Sequence, residues 1–133
     1  MSDIETGAIL LQKAKNDAAA LRAMLGNDAF TGDIYGFHAQ QAVEKALKAW
    51  VCTLGQIHPK IHDLEALFQI LIDAGVDVPP QFRVLEHLTD FGVQYRYAAF
   101  TDLGQDLDRA ETLRQVEELL DYVEDVLRRS LGS

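Results

Sequence analysis

The stretch from Phe37 to Ala49 constrains the fold more than any other part of the chain. It has thirteen residues without Gly, Pro or Asn, and four of them are Ala, so it is the strongest local helix former present. On a wheel of about 100° per residue, Ala42, Val43, Ala46, Leu47, Trp50 and Leu54 gather on one side. His38, Gln41, Glu44, Lys45 and Lys48 gather on roughly the other. One face is suited to burial, with Ala allowing close helix approach and Trp50 as a large apolar anchor. Two readings of the polar row stand. It is a solvated face carrying a Glu44–Lys48 pair at i,i+4, or a surface on which His38, Gln41, Lys45 and Lys48 converge on an anion or a partner.

At 133 residues the chain fits one domain spanning 1–133, able to bury a core without disulfides or metal. Its single cysteine, Cys52, excludes an intramolecular disulfide and reads as a small packing residue. No apolar run reaches membrane-span length, and Met1-Ser2-Asp3-Ile4-Glu5 has no basic leader. The expectation is a soluble, cytoplasmic protein. Net charge is −9 and uneven: Asp102 to Asp125 holds nine acids against Arg109 and Arg114. There is no basic stripe of the kind nucleic-acid binders carry.

The remaining segments also read as helices. Leu10 or Leu11, Ala14, Ala18, Leu21 and Leu25 recur at helical spacing, predicting a first helix from about Ile4 to Leu25. Gly26 is suited to a left-handed stop, and Asp33 to the N-cap of the second helix, which ends near Leu54-Gly55. In Gln56 to Asp63, His58 and His62 are four apart. Pro59 between them argues against the helix that would make them joint metal ligands, and no metal or cofactor site is expected. His62 with Glu65 resembles half of a capping box. A third helix runs from about Asp63 to Ala74 and stops at Gly75. A fourth carries Phe82, Leu85, Leu88 and Phe91. A fifth, from about Asp108 to Leu131, carries Leu113, Val116, Leu119 or Leu120, Val123 and Leu127. No strand pattern occurs, so the expected fold is all-α: an antiparallel up-and-down bundle of about five helices.

Three blocks of this sequence together resemble the HEPN domain (higher eukaryotes and prokaryotes nucleotide-binding). They are His38-Ala39-Gln40-Gln41-Ala42-Val43-Glu44-Lys45-Ala46-Leu47-Lys48-Ala49, His62-Asp63-Leu64 and Tyr95-Arg96-Tyr97. The resemblance implies a helical bundle that forms homodimers. It also implies pairing with a small MNT-type nucleotidyltransferase in a toxin–antitoxin module. Many such domains are metal-independent ribonucleases with an Arg-x(4–6)-His motif, in which the Arg holds a phosphate and the His moves a proton. Here Arg96 stands at the Arg position, but Thr101, Asp102 and Leu103 occupy the place of the His, and no histidine follows His87.

The expected function is therefore a non-catalytic, dimeric partner of a nucleotidyltransferase that binds nucleotide, short RNA or the enzyme's substrate. The candidate anion-binding residues are Arg96, Tyr97, His38, Gln41, Lys45 and Lys48; none is assigned a catalytic role. Two alternatives stand beside it: a ribonuclease with a substitute acid/base such as His87 or His38, and a purely structural dimerisation module.

Overall fold

The second helix sits at the centre because almost every side of it is needed by a neighbour. The structure, a computed structural model, describes residues 2–92 and 107–132. Helix α1 spans Asp3–Met24, α2 Gly32–Cys52 and α3 Leu64–Asp73. A 3-10 segment covers Pro80–Leu88, helix resumes at 89–92, and α4 spans Arg109–Leu131. No strand occurs among the described residues. The fold is an all-α bundle, as the sequence predicts.

Helix α2 packs against α1, α3, the 3-10 segment and α4. Between Ala39 and Cys52 only Gln41 and Lys45 escape full burial. The one-sided helix of the wheel is thus corrected: Gln40, Glu44 and Lys48 are buried too. Its small residues permit this crowding. Gly36 lies so close to the Phe91 ring that an added Cβ would fall 2.1 Å from it. The core joins Leu11, Ala14, Ala18 and Leu21 of α1 to Leu47 and Trp50 of α2, Phe68 of α3 and Val116, Leu119 and Val123 of α4. Each large side chain fully buried there contributes about 1.5–3 kcal/mol.

Local signals set the helix ends, and several differ from expectation. Ser2 caps α1 through a capping box with Glu5, a start the periodicity did not reveal. Thr31, not Asp33, is the N-cap residue of α2, and its hydroxyl donates to Asp33 in the first turn. Asp63 caps α3 by accepting from the backbone N–H of Glu65 and Ala66. His62 therefore takes no part in that cap. Among the described residues the left-handed glycines are Gly55 (φ +73°) and Gly75 (φ +88°), which end α2 and α3, whereas Gly26 is not left-handed.

The fourth predicted helix is a 3-10 helix. Phe82, Leu85 and Leu88 repeat every three residues and are all buried, and three residues per turn is the winding that stacks them on one line. The aromatic stretch 93–100 and the polar loop 101–105 lie outside the described residues.

Candidate functional site

Buried polar groups on α2 form one connected network. Glu44 is 5 % exposed, Lys48 7 % and Gln40 0 %. Successive turns of the helix place them on one line, since i and i+4 side chains are neighbours. Glu44 Oε1 accepts from Gln40 Nε2 at 2.9 Å, and Oε2 accepts from Lys48 Nζ at 3.1 Å. His62 Nδ1 lies 3.0 and 3.1 Å from the two carboxylate oxygens. Gln40 Nε2 also donates to the His62 carbonyl at 3.2 Å, and Gln41 Nε2 donates to Gln40 Oε1 at 2.7 Å.

Burial alone would push the Glu44 carboxyl up. The hydrogen bonds from Gln40, His62 and Lys48, with the Lys48 charge, outweigh burial and hold it below the usual carboxylate range. An ionised carboxylate only accepts, so His62 Nδ1 is the donor to it, and Nε2 has no partner in this network. The His62 side chain is 58 % exposed.

This network ties four segments together. His62 ends the connector that follows α2. Two residues later, the Leu64 N–H donates to Thr89 Oγ1 at 3.1 Å. Gly92 packs on the Gln40 amide so closely that a Cβ there would stand 2.7 Å from Gln40 Cδ.

A second cluster holds Lys45 and His38 of α2. Lys45 Nζ donates to Asp17 Oδ2 of α1 at 2.7 Å, and His38 Nδ1 lies 3.4 Å from Asp17 Oδ1. The His38 ring also meets Phe37 edge-on at 5.6 Å. The structure thus joins His38 with Lys45 on Asp17, and Gln41 with Lys48 through Gln40 and Glu44. Arg96 and Tyr97 lie outside the described residues, as do Thr101, Asp102 and Leu103.

The other histidines are arranged differently. The segment holding His58 and His62 is not helical, and buried His58 Nδ1 has no partner among the described residues. Burial lowers the pKa of His87. No group of three His, Cys, Asp or Glu side chains able to hold a metal ion occurs among the described residues. Cys52 is buried, and burial raises its thiol pKa.

Sequence reasoning missed two participants. Asp17, 21 and 28 residues from its partners, shows only as a polar residue of the first helix. Arg109 donates to the carbonyls of Met24 (3.1 Å) and Asn27 (3.3 Å), and to that of Phe30. It also lies 5.1 Å from the Tyr35 ring centroid, so it clasps the α1–α2 connection from the start of α4.

These features define an all-α bundle built on a central helix with a buried carboxylate network. The HEPN domain family model matches residues 8–132, and the chain belongs to that family. Comparisons with curated proteins and with solved structures gave no match. No helix among the described residues is long and apolar enough to cross a membrane.

Proposed function

We propose that this HEPN-domain protein is a non-catalytic, dimeric subunit. It pairs with a small nucleotidyltransferase in a toxin–antitoxin module and contacts that enzyme's nucleotide or substrate. Family membership supports the dimer and the partner. The observation that carries the non-catalytic part is that the basic side chains of α2 are already engaged: Lys48 with Glu44, and Lys45 and His38 with Asp17. On a chain of net charge −9, a long polyanion would find these charges spent on internal partners. In this reading Arg96, with Tyr97, makes the anion contact, while His38, Gln41, Lys45 and Lys48, expected from the sequence as further contacts, stay with their internal partners.

The test is co-expression with a small nucleotidyltransferase encoded beside this chain. A complex that survives gel filtration, together with RNA left intact by the pure protein, is the expected result. A chain that elutes alone, or cleaves RNA in an Arg96-dependent way, refutes the proposal.

One observation favours the ribonuclease alternative. His62 holds its Nδ1 3.0 Å from the Glu44 carboxylate with its ring turned to solvent, a closer contact than the 3.4 Å between His38 and Asp17, and this is the arrangement of an oriented general base. Cleavage abolished by His62→Ala would select that reading.

A further inference from the structure

At the C-terminal end of α2 lies a cleft of about 510 Å³, within the size range of small-molecule sites. Trp50 and Leu54 from α2, Tyr122, Val126 and Arg129 from α4, and Asp77 from the loop after α3 line it. Trp50, buried beneath the cleft, backs the Tyr122 ring, with ring centroids 5.2 Å apart and planes tilted by 49°. Leu54 and Val126 extend the apolar surface.

The charged groups on this cleft are loosely held. The other described arginines, Arg22, Arg83, Arg109, Arg114 and Arg128, each reach an acceptor at 3.1 Å or closer. Arg129 has only the Asp125 backbone carbonyl at 3.5 Å and the Asp125 carboxylate at 3.6 Å, too long for a good hydrogen bond. Among the described residues nothing hydrogen-bonds or ion-pairs with Asp77, and nothing engages the Tyr122 hydroxyl. A planar donor fork, a free carboxylate and a phenol therefore lie beside an apolar floor, while the other described arginines are held by closer partners.

We infer that this cleft binds a small amphoteric molecule with a flat apolar body. Its carboxylate is taken by Arg129, whose geometry suits bidentate pairing. Its ammonium is taken by Asp77, and its body lies against Tyr122 and Val126. The site is separate from the α2 network and does not depend on the proposed nucleotidyltransferase partner.

Trp50 is the only tryptophan in the chain and packs on Tyr122 at this cleft, so its emission serves as the readout. The probes are L-phenylalanine, with adjacent charges, and 4-(aminomethyl)benzoate, with charges across the ring. The expected result is a saturable change in Trp50 emission with at least one probe below about 10 mM. Benzoate and benzylamine, each lacking one charge, should bind at least about three-fold more weakly than that probe. Arg129→Gln and Asp77→Asn should each weaken binding by about three- to ten-fold. Both side chains are exposed, and an unchanged far-ultraviolet circular dichroism spectrum checks that the fold is kept. The inference is overturned if neither probe gives a saturable change, or if the change survives either substitution.

Discussion

Replacing Glu44 with Gln keeps the volume of the side chain and removes its charge. The carboxylate accepts from Gln40, His62 and Lys48 at 2.9–3.1 Å. A Gln amide has one acceptor oxygen and must turn its own N–H groups toward one of these donors. Lys48, 7 % exposed, would keep its charge without a counter-charge. Breaking a buried pair costs about 3–5 kcal/mol, and the flexible Lys48 stem can recover part of that by reaching for solvent. The expected loss for Glu44→Gln is about 2–4 kcal/mol. At about 2.1 cal/mol/K per residue over 133 residues, that lowers Tm by roughly 7–14 °C. Adding Lys48→Met removes the stranded charge, so the double variant should lose at least about 1 kcal/mol less than the sum of the singles.

The sign of the pH dependence follows from the lowered pKa of Glu44. A depressed carboxylate stabilises the fold fully above the ordinary range near 4.3 and loses that contribution as pH falls through its folded value. The gap between wild type and Glu44→Gln should therefore shrink in acid. Urea unfolding followed by circular dichroism at pH 7 and through the acid range measures it. A loss under about 1 kcal/mol at pH 7, additive single substitutions, or a gap that ignores pH would each show the network to be inconsequential.

Other substitutions probe the fold elsewhere. Gly36→Ala sets a Cβ against the rigid Phe91 ring and should cost about 1–3 kcal/mol or more. Gly26→Ala, with nothing within 4 Å, should be close to neutral; equal effects in thermal melts would refute the packing argument. Arg109→Gln should cost about 1–2 kcal/mol and raise hydrogen exchange at residues 25–31, and unchanged exchange there would argue against the clasp. Tyr35, 0 % exposed, has its pKa pushed up to about 12, burial being the main cause. A raised pKa keeps its stabilisation below the unfolded value near 10 and loses it as pH climbs to about 12. Tyr35→Phe should flatten that alkaline fall, and in ultraviolet titration it should remove a late-ionising phenol. Light scattering of the pure protein should give twice the chain mass, whereas a monomer at micromolar concentration would count against the proposed dimer.

The bundle was legible because each helix carries its apolar residues at helical spacing, and Cys52 was readable as a packing residue. The α2 network was not, because a helical wheel holds one helix at a time. Glu44 and Lys48 look like a solvated pair until His62, eighteen residues on, closes over them. His38 and Lys45 look like free cations until Asp17 arrives from α1. The pairing of His62 with Glu65 as a half cap failed because Asp63, one position later, is the better acceptor for the first turn of α3. The 3-10 winding was visible in principle, since Phe82, Leu85 and Leu88 keep a strict period of three. Two such steps in an α-helix already turn the third residue well away from the first.

That winding also fixes how far the chain reaches. At about 2.0 Å per residue, nine residues of 3-10 helix cover about 18 Å, where an α-helix would cover about 13.5 Å. Pro80–Leu88 therefore works as a spacer, and its length is set by what it joins. At its far end Thr89 meets the Leu64 N–H and Phe91 meets Gly36. Were the segment to rewind as α-helix, it would shorten by about 4.5 Å. That contraction would pull Thr89 off α3 and lift Phe91 from its seat on α2. The least regular helix in the protein is thus its most exact ruler.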